Sequence, residues 1–557
     1  MSRSLIAPCL AAVTLLAAQR PVAAQSQLLG RVPAQAHTVV HVQDATAVLE
    51  QIQLNDVYRL LGDEAGDPLR GVMRDMSPED FDSMLLLGSA LAGEAVLFKS
   101  KAGAGLMVEP GGDRGSLMAA VRAFTQTPEL DEGMTVQRLG ACRVESTAPL
   151  DLEAPAATGG REVIELASLD AELVKVMISG PDIIAAVSGP PASVTAWTRA
   201  LCGPVADSAP APIATKLRAA RGKHGPAGQM EFFTDLSFFK DEAAAALKQA
   251  GEGMSIDPSR LIGLEDDAFL YGTFALPAGM NLDIRFHLEV KPGTLLAKLA
   301  DTMRPVPSDL LGKIPAEVTG LHCMHWDFNR CYEVIREALR ADQQERGAER
   351  LDQAVAAGSA LAGSDLEEEF FGQFTGVFGL FFMPPEDRLS LADLEGGFFE
   401  LILQMGLFAR VEDTDTTLEA FEALVGAARA DLSTVEDERG FDRMVPRDLD
   451  PWTGGLAFGA GHFLLTATHR VMDATLTTVS GDTARSLLSG GKLQAIFDGQ
   501  QGAAAISAFR LGMLRQLIRE EERGVKLPEG MEGLYETYVV TTIRRARDGF
   551  NLRVQLQ

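Results

Sequence analysis

The densest group of chemically reactive side chains lies in one short stretch of the chain. It contains His322, Cys323, His325, Asp327 and Cys331, all residue types that bind zinc. Alternate residues of a strand share a face, so Cys323, His325 and Asp327 would lie together. Cys331, on a following helix, would complete the three or four ligands that tetrahedral zinc requires. The competing interpretation is a structural core or a local disulfide.

A second group consists of His462 and His469, which flank an apolar strand, and Asp473, which follows them. A serine-type triad also requires a nucleophile on a sharp turn, but the sequence contains no Gly-x-Ser-x-Gly. It also contains no Gly-Lys-Ser/Thr phosphate-binding loop. We therefore interpret these histidines as isolated surface residues.

Two carboxylate groups, Asp413-Thr414-Asp415 and Glu265-Asp266-Asp267, have the residue types of a calcium or acid–base site. A helix–loop–helix calcium loop starting at Asp413 would need glycine at its sixth position, where the sequence has Leu418. Asp413 is better explained as the cap of a helix, with acids near the positive end of its dipole. Acid–base catalysis by a carboxylate pair stays an alternative, because the sequence does not give the distance between the two carboxylates.

One stretch of the chain is unusually rich in phenylalanine. Its members are Phe370, Phe371, Phe374, Phe378, Phe381, Phe382, Phe398 and Phe399. We predict a buried helix and two strands here. The alternative is an apolar groove for a lipid-like ligand or a partner strand. The matching upstream region has only Phe81 and Phe98, so this asymmetry favours a site in the second half.

These residues must be positioned by a fold, and the sequence predicts an internal repeat of one folding unit. The stretch from Gly263 to His287 reappears as the last residues of the chain, Gly533 to Gln557, and both copies predict a hairpin. Similar openings, Arg31-Val32-Pro33-Ala34-Gln35 and Lys313-Ile314-Pro315-Ala316-Glu317, precede a strand and a helix.

The repeat bears on the zinc hypothesis. At the same distance from the proline, His41 corresponds to Cys323 and Leu49 to Cys331. Because leucine occupies that position in the first copy, we interpret Cys331 as a small core residue and predict no metal site.

The fold class that we predict is α+β, with two tandem related units of antiparallel hairpins and sheets and helices packed on one face. The units span residues 30–295 and 312–557. Predicted hairpins include Glu94 to Glu109, Val174 to Ser188 and Leu456 to Thr468, and Phe398–Leu403 is predicted to lead on to the strand Leu407–Val411. Residues 146–160 and 203–212 are predicted as surface loops, and residues 341–363 as an extra helix and linker.

The element order and the Pro-Ala openings resemble an uncharacterised family of exported bacterial proteins, classed as a domain of unknown function. The stretch Phe233-Thr234-Asp235-Leu236 resembles a strand–helix element that recurs in that family. The resemblance covers most of the mature chain and implies its fold. It implies no activity and no catalytic residue.

The N-terminus predicts export. A short basic start, Met1-Ser2-Arg3-Ser4, is followed by an apolar run from Leu5 to Ala18. Small residues, Val22-Ala23-Ala24, then precede Gln25. This is the form of a signal peptide over residues 1–24. No later run reaches transmembrane length. We expect a secreted or periplasmic protein after cleavage near Ala24.

Charge and cysteine content narrow the possible partners. A net charge of −27 argues against binding nucleic acid through phosphate contacts. The cysteines of the mature chain are Cys142, Cys202, Cys323 and Cys331, and they allow three disulfide pairings or free thiols.

The sequence therefore favours a non-enzymatic, exported tandem-domain protein, a scaffold or binding module whose ligand or protein partner it does not identify. No catalytic residue and no cofactor is predicted. The first alternative is a carrier of an apolar or lipid-like ligand that uses residues 370–399. The second is a metal-dependent hydrolase centred on Cys323, His325 and Cys331.

Overall fold

The structure of the 557-residue chain is a computed structural model. It describes residues 28–45, 93–111, 113–127, 134–153, 173–203, 212–224, 229–239, 268–275, 282–341, 345–384, 404–427, 432–446, 453–489, 491–511 and 536–557. The predicted signal peptide lies outside these ranges. The chain divides into two compact units, one with residues 28–238 and 269–287 and the other with residues 239–268 and 288–557.

The first unit is built from hairpins and helices. Its described strands are β1 (Thr38–Val42), β2 (Ala95–Ser100), β3 (Gly103–Val108), β4 (Thr135–Leu139), β5 (Cys142–Ser146), β6 (Val174–Ser179), β7 (Ile184–Gly189), β8 (Met230–Asp235), β9 (Phe269–Ala275) and β10 (Leu282–Glu289, of which the residues up to His287 belong to this unit). Its described helices are α1 (Arg114–Thr125), α2 (Pro191–Cys202) and α3 (Pro212–His224).

These strands pair in the order β10-β9-β8-β1-β2-β3-β7-β6-β5-β4. Every pairing whose register is described is antiparallel. The first strand thus lies at the centre, where Val39 is opposite Phe98 on one side and Phe233 on the other. This antiparallel sheet with helices confirms the α+β class.

Both faces of this sheet are covered by helices, so the prediction of helices on one face is wrong here. Val39 and Phe98 pack in one apolar cluster with residues of α2 and α3, such as Trp197. The neighbouring residue Val40 faces the opposite cluster, which contains Leu117 of α1. Neighbouring strand residues point to opposite faces, and several strands are apolar at both, so each face requires cover.

The second unit has the same kinds of element. Its described strands are β11 (Gly320–His325), β12 (Phe374–Phe382), β13 (Met405–Val411), β14 (Leu432–Glu436), β15 (Asp442–Pro446), β16 (Thr453–Gly459), β17 (His462–Thr468), β18 (Ala505–Arg510), β19 (Tyr538–Ala546) and β20 (Gly549–Leu556). Its described helices are α4 (Leu295–Ala300), α5 (Phe328–Ala341), α6 (Glu345–Ala362), α7 (Thr414–Ala427), α8 (His469–Val479) and α9 (Lys492–Asp498). Of the helices within the described ranges, none has both the length and the apolarity of a membrane span.

The strands of the second unit pair in the order β20-β19-β18-β11-β12-β13-β17-β16-β15-β14. One face of this sheet packs with α8 and α9 in a cluster that includes Phe381, Phe408 and Met472. On the other face, Phe328 of α5 contacts Phe378 with ring centroids 4.5 Å apart. Phe421 of α7 contacts Phe458, with centroids 5.6 Å apart.

Most hairpins were predictable from their turns. The turn at Gly180-Pro181-Asp182 closes with Gly180 N donating to Ile183 O at 2.8 Å, and the β6–β7 hairpin is confirmed. The helix within residues 341–363 is also confirmed as α6. The hairpins β4–β5 and β14–β15 were not predicted, because strands such as β4 have no buried residue and carry little apolar signal.

One strand assignment in the second unit needs correction. Phe398–Leu403, predicted as the strand before Leu407–Val411, lies outside the described residues. The strands that pair with β13 are β12 and β17, and β12 lies within the stretch where a helix was predicted first. In the described part of that stretch, the helical residues lie immediately before β12, from Leu366 to Gln373.

A bulge in β12 depends on Gly376. The register with β13 shifts between Phe374 and Phe378, and Gly376 has φ +85°, in the left-handed region that favours glycine. Its carbonyl accepts a hydrogen bond of 2.8 Å from Trp326 N. A Cβ at this position would overlap the Trp326 carbonyl oxygen.

We therefore expect Gly376→Ala to lower the free energy of unfolding by about 3 kcal/mol or more, because it adds backbone strain to a steric overlap. The measurement is urea unfolding of the purified chain. Gly426→Ala is the matched control, since this glycine lies in α7 with open space around it and alanine favours a helix. Equal stability of the Gly376→Ala and wild-type chains would contradict this account of the bulge.

Candidate functional site

The residues nominated as zinc ligands have separate partners. Cys323 is fully buried in the apolar cluster of the second unit, and burial raises the pKa of its thiol. Cys331 Sγ lies 2.9 Å from Thr302 Oγ1. His325 Nδ1 lies 2.7 Å from the carbonyl oxygen of Pro305. No three of the nominated residues form a group at ligand distance within the part of the chain that the structure describes.

The two remaining members of that stretch also have local roles. His322 faces away from Cys323, and its Nδ1 lies 2.6 Å from Ser507 Oγ. Asp327 precedes α5, and its carboxylate accepts a 3.0 Å hydrogen bond from Arg330 N. The latter contact is that of a helix cap.

The histidines of the second group are not arranged as a triad. His462 is 4% exposed, so its interpretation as a surface residue is wrong, and its Nδ1 lies 2.7 Å from Ala460 O. Asp473 pairs with Arg439 at 2.8 Å, while His469 is the first residue of α8. Burial, followed by the charges of Lys313 and Arg410, lowers the pKa of His462 to about 4.

The cap prediction at Asp413 is confirmed. Its Oδ1 accepts hydrogen bonds from the backbone N–H groups of Asp415 and Thr416, at 3.0 and 3.1 Å, at the start of α7. The other carboxylate group, Glu265-Asp266-Asp267, lies outside the described residues.

The phenylalanine-rich stretch is divided between the two faces of β12. Phe381 is fully buried in the core of the second unit. Phe374 and Phe378 lie on the other side, with stacked rings whose centroids are 6.0 Å apart. Phe374 also contacts Phe370 at 5.3 Å and Phe463 of β17 at 6.0 Å. Phe370, Phe374 and Phe378 thus form a layer on the face of the sheet opposite Phe381, whereas Phe371 is 52% exposed. Phe398 and Phe399 lie outside the described residues.

Beside this layer, four leucines form a line across four adjacent strands. Leu380, Leu407, Leu465 and Leu456 are successive cross-strand partners on β12, β13, β17 and β16. We call these four residues the leucine row. None of them is fully buried, and Leu465 is 37% exposed. At a strand spacing of about 4.8 Å the row is about 14 Å long.

The ends and borders of the leucine row differ in chemistry. Beyond Leu380 the line continues into the polar pair His322 and Ser507. Phe382 follows on the same face of β12 and contacts Phe509 with centroids 6.3 Å apart. Both rings lie opposite Gly320, which leaves them room because it has no side chain. The row is therefore apolar along its length and along one border, and polar at one end.

A comparable line of residues in the first unit is covered. Met177, Ala186, Leu106 and Leu97 are successive cross-strand partners there. The first three are at most 2% exposed and pack in the cluster that includes α1. In the second unit α7 lies instead over the phenylalanine layer, where Phe421 contacts Phe370 and Phe458.

The first unit contains a different kind of polar site, which the sequence did not reveal. Five side chains, His41, Glu94, Arg221, Glu231 and Tyr271, form what we call the ionic network. Glu231 is fully buried and accepts hydrogen bonds from Arg221 Nε at 2.8 Å and from the Tyr271 hydroxyl at 2.9 Å. His41 Nδ1 lies 3.2 Å from Glu231, and its Nε2 lies 3.1 Å from Glu94.

Burial and charge act in opposite directions in this network. Burial alone would lower the pKa of His41, but hydrogen bonds to Glu231 and Glu94 outweigh it and raise that pKa. Burial would raise the pKa of Glu231, but hydrogen bonds from His41 and Arg221 outweigh it and lower that pKa. Glu231 and Arg221 therefore form a charged pair, the carboxylates favour protonation of His41, and the network attaches α3 to β1, β8 and β9.

A histidine pair lies next to the ionic network. The rings of His224 and His287 stack with centroids 3.6 Å apart, and His224 lies 6.1 Å from the Tyr271 ring. Burial, followed by the charges of His287 and Lys223, lowers the pKa of His224 to about 4. Like the network, this pair combines residues that are distant in sequence. The one sequence signal for the network was a glutamate inside the apolar strand Met230–Asp235.

Comparison of the chain with known protein families, with curated proteins and with solved structures finds no match. A role for this chain is therefore inferred from the arrangement of its own side chains.

We expect Glu231→Gln to lower the free energy of unfolding of the first unit by about 3 kcal/mol or more, because it leaves Arg221 and His41 near a neutral amide in a buried site. Urea unfolding followed by tryptophan fluorescence measures this in a chain whose Trp326 and Trp452 are replaced by phenylalanine, so that Trp197 is the reporter. Glu333→Gln is the matched control, since Glu333 forms an exposed ion pair with Arg330 and should leave stability unchanged. A Glu231→Gln chain as stable as the control would show that the network contributes no stability.

The lowered pKa of His462 predicts acid sensitivity of the second unit. Between the ordinary histidine pKa of 6.5 and the folded value of about 4, the unfolded chain gains a proton that the folded chain does not. The free energy of unfolding should therefore fall by up to about 3 kcal/mol as pH is lowered through this range. Urea titrations at successive pH values measure this. Relative to its own value at pH 8, the free energy of unfolding of His462→Gln should fall less on acidification than that of the wild type. An unchanged slope in the variant would contradict the assignment.

Proposed function

We propose that this chain is an exported binding protein of two related units, and that the second unit binds an apolar ligand with a fatty acyl chain on the leucine row. The observation that carries the proposal is the partial exposure of the row, including Leu465 at 37%. The comparable line in the first unit is buried under α1. Exposed apolar surface of this kind is typical of a binding site.

The hypothesis of two related units is supported by the strand order. Among the described strands, β1 lies between β2 and β8 with β9 and β10 beyond β8, and β11 lies between β12 and β18 with β19 and β20 beyond β18. The sequence echoes at Pro33-Ala34 and Pro315-Ala316 precede the two central strands, β1 and β11. If the units share this sheet, the exposed leucine row is a difference that the second unit acquired.

The chemistry of the row favours an acyl chain. Four leucines offer a line about 14 Å long, and burying the rest of each side chain contributes about 1 kcal/mol. At one end, His322 and Ser507 are hydrogen-bonded to each other. Burial lowers the pKa of His322, so a neutral imidazole and a hydroxyl are available there for the polar group of the ligand.

The position of the row disfavours the other occupants. A partner strand adds to the edge of a sheet, where backbone groups are unpaired. The leucine row instead crosses β12, β13, β17 and β16, each of which pairs on both sides. A net charge of −27 disfavours docking on anionic membranes, so the ligand is expected to bind as a single molecule.

We expect the purified mature chain to bind a fluorescent long-chain fatty acid saturably and with one site. Leu407→Gln with Leu465→Gln should weaken binding by at least about tenfold, because two polar amides then interrupt the row. The measurement is a fluorescence titration, supported by native mass spectrometry of the complex.

Val435→Gln is the matched control, since Val435 is 52% exposed on β14, away from the row. It should bind as the wild type does. Circular dichroism of each variant checks that it is folded. The proposal is overturned if the wild-type chain shows no saturable binding, or if the control variant weakens binding as much as the row variants do.

A further inference from the structure

Two of the four cysteines of the mature chain meet in the first unit. Cys142 is the first residue of β5, and Cys202 is the last residue of α2. Their thiols lie close enough to interact, and both cysteines are free, although they are about 60 residues apart in the chain. Cys142 belongs to the apolar cluster of this unit, and Cys202 packs against that cluster.

The pair is held in place by the turn between β6 and β7 and by Arg31. Arg31 donates a 2.6 Å hydrogen bond to the carbonyl oxygen of Leu201, next to Cys202, and forms an ion pair with Asp182 of the turn. On the other side of the pair, a Cβ on Gly180 would lie 2.7 Å from Cys142 Sγ, so glycine leaves room for the sulfur. The end of α2 and the start of β5 are therefore attached to the same turn.

The surroundings favour a thiolate at Cys142. The hydrogen bond from Cys202 lowers the pKa of Cys142, with further contributions from the guanidinium groups of Arg31 and Arg114. The pKa of Cys202 is raised, because its thiol donates that hydrogen bond and is partly buried. Cationic neighbours of this kind are typical of reactive cysteines.

We propose that Cys142 and Cys202 form a disulfide by exchange with a small-molecule disulfide such as oxidised glutathione. One sulfur of the pair attacks the small molecule, breaks its S–S bond, forms a mixed disulfide and releases one small thiolate. The second cysteine then attacks the protein sulfur of the mixed disulfide and releases the other small thiolate. The two cysteine protons pass to the two thiolates, so the protein loses two electrons and the small disulfide gains them.

The other two cysteines provide an internal control. Cys323 is fully buried on β11 among apolar side chains, and Cys331 is hydrogen-bonded to Thr302. Neither has the partner thiol that Cys142 and Cys202 have in each other. Both should stay reduced under conditions that oxidise the first pair.

The test is disulfide mapping of the full mature chain. The purified protein is equilibrated with excess oxidised glutathione, denatured with an alkylating agent present, and digested without reduction for mass spectrometry. We expect a cross-linked peptide that contains Cys142 and Cys202, lighter by two hydrogens than its reduced components, with Cys323 and Cys331 alkylated. Alkylation of all four cysteines, or a cross-link that involves Cys323 or Cys331, would overturn the proposal.

Stability provides a second measurement. Reduction of the oxidised wild type should lower the midpoint of thermal unfolding of the first unit by about 5–10 °C, because a long loop is opened. Cys202→Ser should make that midpoint insensitive to glutathione, whereas Cys331→Ser should retain the response. If Cys202→Ser does not fold, the mapping of the wild-type chain still decides the question.

Discussion

The rest of the structure depends on one constraint: a wide antiparallel sheet whose strands are apolar on both faces requires cover on both. In the first unit Val39 and Val40, neighbours on the central strand, belong to two different apolar clusters. Helices α2 and α3 cover one face of the sheet, and α1 covers the other. In the second unit α8 and α9 cover the corresponding inner face, while the leucine row on the other face stays partly open. The sheet of the first unit is thus covered more completely than that of the second.

The buried carboxylate in the core of the first unit is matched by charged and polar partners. Glu231 lies in an apolar strand, and burying a carboxylate alone would cost several kcal/mol. Arg221, His41 and Tyr271 each bond to it, so the carboxylate fixes the position and rotation of α3 on the sheet.

Local structure was largely predictable from the sequence, and its spatial combination was not. Turn residues such as Gly180-Pro181-Asp182 and a cap at Asp413 indicated hairpins and helix starts, because these signals act over a few residues. The hairpin β4–β5 was missed, because β4 has no buried residue and little apolar contrast. The leucine row takes one residue from each of four strands, and the cysteine pair joins β5 to α2. Such sites depend on which distant segments pair and in what register. The hydrophobic periodicity of the sequence does not specify either.

The strand order has a consequence for how the protein forms. In the first unit Thr38 and Thr234 contact each other across the central pair although they are 196 residues apart, and in the second unit His322 and Ser507 do so at a separation of 185 residues. The middle of each sheet therefore closes only when nearly the whole unit has been synthesised. Topologies dominated by such distant pairings fold slowly, and each growing chain exposes unpaired central strands until its eighth strand arrives.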